Sequence, residues 1–234
     1  MTKYKFEADL DKPLDYNNEY HKIKFGKWLN KDFYKMKGLV AKRNIFNYDF
    51  SEDSKVLDYG CGIGQITAWI KNKYAFDINK DLYPLLEKKG FVTYNSIKDI
   101  PNNFFDEIVL SMCLEHIEDP FKTIKELSIK LRVDGKIRLN LPTASYNKVK
   151  NMNISSNGHC FAWGFPDINY LLNRCGFEVL YNKKRYSKGV DRFFFIYKYL
   201  GFEIYYIMIT LFGYLFKSRE ATLPDIVVVG RKRK

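Results

Sequence analysis

The stretch KVLDYGCGIGQ, residues 55–65, constrains the fold more than any other part of the 234-residue chain. Its first apolar residues predict a short buried strand that ends at Asp58. A tight turn is expected next, because glycine adopts positive φ without steric penalty and lets the backbone approach a ligand closely. The glycines of this turn are Gly60, Gly62 and Gly64. Since a helix is expected over 64–72, the stretch predicts a nucleotide-binding corner.

The glycine spacing and a later carboxylate indicate which nucleotides fit this corner. A dinucleotide fingerprint has its third glycine where this chain has Gln65, which counts against NAD. Asp77 follows Asp58 by 19 residues and lies at the end of the next apolar run. A carboxylate at the end of the second strand is placed to accept hydrogen bonds from the hydroxyls of a ribose.

The motifs LDYGCGIG, FDI and FDEIVLSMCLEHIEDP together resemble those of the class I S-adenosylmethionine (SAM)-dependent methyltransferases. The resemblance is greatest to the small-molecule enzymes of that group and extends over residues 55–180. It implies SAM as the cofactor and S-adenosylhomocysteine as the product. The residues that it places at the cofactor are Asp58, Gly60, Cys61, Gly62, Gly64, Gln65, Asp77, Ile78, Ser96, Ile97 and Ser111.

The segment TYNSIKDIP, which follows the third predicted strand, departs from the family pattern. Enzymes of this group usually have an acidic residue there, beside the adenine. This chain has Ser96 or Ile97 at that place, and Asp99 comes later. The Ser96 hydroxyl and the Ile97 backbone N–H are therefore the groups expected to bond the adenine.

Alternation of strands and helices predicts an α/β fold, a Rossmann-like doubly wound sheet with helices on both faces. The strands are expected near 55–59, 73–78, 91–94, 105–111, 135–142, 177–187 and 223–230. Further helices are expected near 80–89, 120–132 and 166–175, with Asp134-Gly135 ending the second of these and Gly176 the third. The resemblance implies a mostly parallel seven-stranded sheet, in which only the last strand is antiparallel.

The length of the chain predicts a single domain over 1–234, and the resemblance implies that it is a SAM-dependent methyltransferase domain. Apolar patterning predicts a helical cap at 1–47 and a helical insert at 188–222. In the resembled family such a cap lies over the cofactor, and Tyr20 and Trp28 either close the substrate pocket or pack on the core. The apolar run within the insert, 204–216, is shorter than the roughly 20 residues that cross a membrane. It is interpreted as a lid, a dimer contact or a helix on a membrane surface.

Charge and cysteine content indicate partners and compartment. The net charge is +12, and residues 183–234 hold 12 Lys or Arg against 4 Asp or Glu. Such an excess favours an anionic partner or is simply a solvated surface. Four cysteines without C-x-x-C spacing, and no signal peptide, predict a cytoplasmic protein, with peripheral contact to the inner membrane face through 193–216. The fourth-strand segment lacks the Asn/Asp-Pro-Pro-Tyr/Phe tetrapeptide of base-methylating enzymes, so no nucleic-acid partner is expected.

Histidines are the candidates for catalysis, because a hydroxyl nucleophile benefits from a base. His159 lies in NGHCFAWGF after the fifth strand, and His116 follows the fourth strand beside Glu115. Each could instead be structural, His116 as a capping or core residue and His159 as a loop residue bonded to the backbone. The expected substrate-side residues are Tyr20, Glu115, His116, His159 and Trp163. No cluster shows metal-ligand spacing along the sequence, so no required metal is predicted.

The resemblance implies methyl transfer from SAM to a small acceptor. Stand-alone bacterial enzymes of this kind often modify sugars and surface-polysaccharide precursors, so an oxygen of a sugar or phosphorylated precursor is the first expectation. The alternatives are N- or C-methylation of a lipid-like acceptor, such as a quinone or an amine headgroup, and a non-catalytic membrane-associated protein that binds SAM.

Overall fold

The computed structural model describes residues 30–46, 50–143, 159–186, 193–216 and 224–233. Within these ranges seven strands form one sheet in the order β3-β2-β1-β4-β5-β7-β6. β7 runs antiparallel to both β5 and β6, and the other pairings are parallel, which confirms the predicted sheet. The strands are β1 (Lys55–Tyr59), β2 (Asn72–Phe76), β3 (Val92–Thr93), β4 (Phe105–Ser111), β5 (Leu131–Leu141), β6 (Phe177–Arg185) and β7 (Asp225–Lys232).

Six α-helices surround this sheet in the described ranges. Short 3-10 turns at Lys80–Leu82, Ile97–Asp99 and Leu114–His116 follow β2, β3 and β4, and a π-helical turn at Lys42–Phe46 continues the first helix. The helices are α1 (Lys31–Ala41), α2 (Tyr83–Lys88), α3 (Pro120–Lys130), α4 (Phe165–Arg174), α5 (Phe194–Leu200) and α6 (Phe202–Leu215).

Most buried positions of the central strands are apolar because both faces of the sheet are covered. Adjacent residues of β4 show this: Ile108 packs in the layer under α3 and α4, and Val109 packs in the layer under α1 and its π-helical turn. The carboxyl ends of the parallel strands are therefore the part of the sheet left for a ligand.

The helical insert before β7 consists of α5 and α6, and both helices pack on α1. Phe33 and Met36 of α1 share a buried cluster with Ile196, Tyr205 and Ile209 of the insert. The opposite side of α6 is exposed and apolar, with the exposed residues Ile204, Ile207, Met208, Leu211, Tyr214 and Leu215. No described helix is long and apolar enough to cross a membrane.

Two local predictions are wrong. The helix expected over 64–72 is absent, and residues 65–69 form consecutive turns. Ile66, Thr67 and Ile70 are β-branched and disfavour a helix, and the Thr67 hydroxyl is held by Asp58. Asp134-Gly135 lies inside β5 rather than before it, because α3 already ends at Lys130.

Other boundaries agree with the sequence prediction. Gly176 follows α4 with a φ of 86°, as expected for a helix end. Tyr20 and Trp28 lie outside the described residues, so the N-terminal cap is seen here only over 30–46.

Candidate cofactor and acceptor site

The turn after β1 contains three glycines with positive φ, 72° at Gly60, 53° at Gly62 and 74° at Gly64. A Cβ on Gly60 would come within 2.3 Å of the Cys113 sulfur, and one on Gly64 within 2.8 Å of Leu86 and Phe91. Among the described residues, a Cβ on Gly62 would meet nothing within 4 Å. Gly60 and Gly64 are thus required by packing, whereas Gly62 borders open space in which a ligand fits.

Asp77 directly follows β2 and connects it to the glycine turn. Its Oδ2 accepts the backbone N–H of Gly62 over 2.7 Å, and its Oδ1 accepts that of Asn79 over 2.9 Å. Each carboxylate oxygen has two lone pairs, so further acceptance from ribose hydroxyls is compatible with both bonds. Because this carboxylate lies beside the open space at Gly62, the residues present fit an adenosyl cofactor.

Asp58 is buried below the glycine turn. Its Oδ2 accepts the Thr67 hydroxyl over 2.7 Å. Burial, with a smaller contribution from Asp77, raises the pKa of Asp58 to about 7. Burial also raises the pKa of the Cys61 thiol well above its ordinary value, so Cys61 contributes an uncharged side chain to the turn.

The remaining predicted cofactor residues lie along the same sheet edge. Ile78 follows Asp77 and is 67% exposed, which leaves an apolar surface beside the turn. The Ser96 hydroxyl accepts the Lys98 N–H over 3.2 Å and so begins the 3-10 turn that contains Ile97. At the end of β4, the Ser111 hydroxyl accepts an N–H of Asn140 over 2.9 Å. Gln65 has a buried Oε1 without a hydrogen-bond partner among the described residues.

α1 covers the glycine turn, and sequence reasoning missed the residue that attaches it. The Tyr34 hydroxyl donates to the Ile63 carbonyl oxygen over 3.0 Å, and the Lys89 ammonium lies 3.5 Å from the centre of the Tyr34 ring. Thr67, the partner of Asp58, was missed as well. A hydroxyl nine residues after a strand-ending carboxylate is a usable signal for Thr67, but no sequence pattern identifies Tyr34.

The loop after β4 contacts the glycine turn and then forms the candidate catalytic cluster. Cys113 packs against Gly60, and Glu115 and His116 follow in the next 3-10 turn. The Glu115 carbonyl oxygen accepts the N–H of Cys160 over 2.7 Å, which attaches the segment containing His159.

Glu115, His116 and His159, which we call the catalytic-edge cluster, come together in space although 43 positions separate His116 from His159. The Nε2 of His116 lies 3.9 Å from Oε1 of Glu115. The two imidazole rings have their centres 4.7 Å apart at 78° to one another. One donor atom from each of the three side chains lies within 4.8 Å of the others. The sequence placed these residues near one edge but did not show that their donor atoms meet.

Trp163 lies at an open pocket of about 690 Å³ between the N-terminal ends of α3 and α4. It stacks on Phe161, with ring centres 5.0 Å apart, and its buried indole N–H has no hydrogen-bond partner among the described residues. The lining residues that the structure describes are mostly aromatic or acidic and include no Lys or Arg: Glu118, Asp119, Pro120, Phe121, Phe161, Trp163, Pro166, Asp167, Tyr170 and Leu171.

The sheet order, the glycine turn and the strand-ending Asp77 define the class of SAM-dependent methyltransferases. The family described as "Methyltransferase domain" matches residues 29–182, and the chain belongs to that family. It is therefore a SAM-dependent methyltransferase whose cofactor is SAM, which confirms the sequence prediction.

Solved structures show the same fold. A SAM-dependent methyltransferase from Archaeoglobus fulgidus is 18% identical, with a TM-score of 0.59, over 91% of this chain and 100% of that one. A SAM-dependent methyltransferase from Thermotoga maritima is 13% identical, with a TM-score of 0.60, over 92% of this chain and 98% of that one. At these identities the likeness concerns the fold alone. Comparison with curated protein sequences gives no match.

Proposed function

We propose that the protein transfers the methyl group of SAM to an oxygen of a small acceptor, a sugar or a phosphorylated surface-polysaccharide precursor. The observation that supports this most directly is the catalytic-edge cluster, which follows Cys113, the residue packed against Gly60 of the cofactor turn. An oxygen acceptor benefits from such a cluster, because a hydroxyl is a weak nucleophile until its proton is removed.

In this proposal the cofactor lies along the carboxyl edge of β1, β2, β3 and β4. Asp77 binds the ribose, Asp58 lies near the amino acid moiety, and Gly62 borders the ligand. The exposed side chain of Ile78 supplies an apolar surface for the adenine. The other residues that we assign to this site are Gly60, Cys61, Gly64, Gln65, Ser96, Ile97 and Ser111.

Methyl transfer needs alignment more than activation of the cofactor, because the sulfonium is already an electrophile. Alignment of nucleophile, methyl carbon and sulfur contributes about 7–11 kcal/mol. Proton removal from the acceptor contributes roughly 10²–10⁴ in rate. We assign it to the catalytic-edge cluster, in which His159 faces the acceptor and the buried Glu115 lies 3.9 Å from His116.

The pocket at Trp163 is the candidate binding place for the acceptor ring. Aromatic side chains such as Phe161 and Tyr170 stack on the apolar faces of sugars, and carboxylates such as Glu118 accept hydrogen bonds from sugar hydroxyls. Because the described lining of the pocket contains no basic residue, we expect a phosphate group of a precursor to lie outside it. This supports the sugar part of the acceptor as the part recognised here.

The test is a screen of radiolabelled SAM against fractions of cell extract and a panel of sugars and sugar nucleotides. The expected product carries an O-methyl ether, identified by mass spectrometry and by the methyl ¹³C shift. Label in an amine or a quinone would establish the N- or C-methylation alternative. SAM binding without transfer to any fraction would establish the non-catalytic one.

We also propose that the protein contacts the inner membrane face peripherally through 193–216, from the cytoplasm. The supporting observation is the exposed apolar side of α6, where Ile207 and Leu211 are each more than half exposed. An apolar helix in a chain with a basic C-terminal segment suits an anionic leaflet. Flotation with anionic liposomes that weakens with salt is expected. No flotation at low salt would reject the membrane contact. A dimer in sedimentation would then assign the surface to a homodimer, and a monomer would leave a lid over the acceptor site.

A further inference from the structure

We infer that Glu115, His116 and His159 form a binding site for one divalent transition-metal ion that holds the acceptor oxygen. This inference rests on the proposed function for the identity of the acceptor, but the metal site itself is defined by these three side chains. They are a buried carboxylate and two imidazoles. Within the part of the chain that the structure describes, one donor atom from each lies within 4.8 Å of the other two.

The distances are close to those of a ligand set. Zinc–nitrogen and zinc–oxygen bonds are about 2.0–2.2 Å, so two neighbouring ligand atoms in a tetrahedral site are roughly 3.3–3.6 Å apart. The Nε2 of His116 and Oε1 of Glu115 are already 3.9 Å apart, and all three donor atoms lie within 4.8 Å. Small side-chain rotations therefore bring the three atoms around one ion.

The backbone holds the two contributing segments together without the ion. The Glu115 carbonyl oxygen accepts the N–H groups of Cys160 and Phe161, over 2.7 Å and 3.3 Å. These bonds fix the backbone next to His159 against the 3-10 turn that contains Glu115 and His116. A site arranged in this way loses little conformational entropy when the ion binds.

The donor types indicate which ions fit. Two imidazoles and one carboxylate suit Zn²⁺, Co²⁺, Fe²⁺ or Ni²⁺, whereas Mg²⁺ and Ca²⁺ prefer oxygen ligands alone. Three protein ligands leave a coordination position open, as in catalytic rather than structural sites. The buried position of Glu115, 1% exposed, fits the same role, because a buried carboxylate is stabilised by a cation.

An ion at this place changes how the acceptor is activated. A metal-bound water has a pKa of about 7 instead of about 15.7, and a coordinated hydroxyl is acidified in the same sense. The acceptor proton then goes to solvent, and the imidazoles act as ligands instead of as bases. The acceptor oxygen forms a bond to the methyl carbon, the carbon–sulfur bond breaks, and its electron pair stays on sulfur to give S-adenosylhomocysteine.

Metal binding can be tested without knowledge of the acceptor. Protein stripped with a chelator and dialysed is titrated with Co²⁺, followed by visible absorption, and with Zn²⁺, followed by calorimetry. One ion per chain is expected, with ligand-field bands typical of nitrogen and oxygen ligands. His116→Ala and His159→Ala should each weaken binding at least tenfold, while His21→Ala, which removes the third histidine of the chain, should leave it unchanged.

Glu115→Gln is the most informative variant but affects a buried residue, so its thermal melting and its affinity for S-adenosylhomocysteine are measured in parallel. His159→Ala, at a half-buried loop position, keeps the test decisive if Glu115→Gln does not fold. Failure of the stripped protein to bind either ion at millimolar concentration would overturn the inference. Equal loss of binding in His21→Ala would overturn it as well.

The same experiment separates this inference from the proposed function. If methyl transfer to a sugar hydroxyl continues in chelator and no ion binds, the metal site is wrong and the proposed function stands. If one ion binds at the three residues and the identified acceptor is methylated on nitrogen or carbon, the metal site stands and the proposed function is wrong.

Discussion

The carboxylate of Asp77 accepts the backbone N–H of Gly62 over 2.7 Å, and this bond joins the ends of the neighbouring strands β1 and β2. Gly62 has a φ of 53° and borders open space. The residue that we assign to the ribose therefore also shapes the turn to which we assign the cofactor. Loss of the Asp77 carboxylate would weaken cofactor binding in two ways, by removing the proposed bond to the ribose and by altering the glycine turn.

Asp77→Ala should weaken binding of S-adenosylhomocysteine at least tenfold, because a hydrogen bond to a charged group contributes about 1.5–3 kcal/mol and about 1.4 kcal/mol corresponds to tenfold in affinity. Calorimetry measures the dissociation constant. Asp53→Ala, at an exposed carboxylate before β1, is the matched control and should bind normally. Unchanged affinity in Asp77→Ala would remove the ribose assignment.

Gly62→Val should abolish cofactor binding in a protein that still folds, because the new side chain enters the open space and not a packed wall. The positive φ alone should cost about 1–2 kcal/mol of stability. Gly176→Val is the control, since Gly176 also has positive φ and open space around it but lies after α4. We expect similar melting temperatures for the two variants, and normal cofactor affinity only in Gly176→Val. Normal affinity in Gly62→Val would make the turn purely structural.

Asp58 should make stability depend on pH. Its pKa is about 7 in the folded protein and 3.8 as an ordinary carboxyl, so between these values the folded state keeps a proton that the unfolded state has lost. The stabilisation from protonated Asp58 is therefore complete below about 3.8, falls as pH rises towards 7, and changes no further above it. Denaturation of wild type and Asp58→Asn at several pH values measures the difference. A difference that stays constant from pH 4 to 7 would contradict the raised pKa.

The sequence was sufficient where short patterns determine the structure. The strand before Asp58, the glycine turn and the place of Asp77 depend on residues near one another in the chain, and the fold and cofactor follow from them. The prediction of a helix over 64–72 was wrong, because the spacing of apolar residues contains no information on the hydrogen bond from the Thr67 hydroxyl to Asp58. The attachment of Tyr34 to the glycine turn and the meeting of His116 with His159 depend on tertiary placement, which no local pattern contains.

The ion pair between Glu107 and Arg138 also depends on tertiary placement. Both are charged residues at buried positions of β4 and β5. Strand alignment brings them together on one face of the sheet, with a side-chain exposure of 5% for Glu107 and 0% for Arg138. The guanidinium binds both carboxylate oxygens. Its Nη1 also donates to the carbonyl oxygens of Ile45 and Phe46, each over 3.1 Å, which attaches the π-helical turn after α1 to the sheet.

Arg138→Met should reduce the free energy of unfolding by about 3–5 kcal/mol, because it leaves Glu107 as a buried charge without its partner. Arg132→Met is the matched control: Arg132 pairs with Asp106 over 2.7 Å, but its side chain is 63% exposed, and such surface pairs contribute about 0–1 kcal/mol. Denaturant unfolding of both variants gives the comparison. The double variant Glu107→Gln/Arg138→Met should recover part of the loss, because no buried charge remains in it. Equal losses of stability in Arg138→Met and Arg132→Met would show that burial does not strengthen the pair. A double variant less stable than Arg138→Met would show that the unpaired charge of Glu107 does not cause the loss.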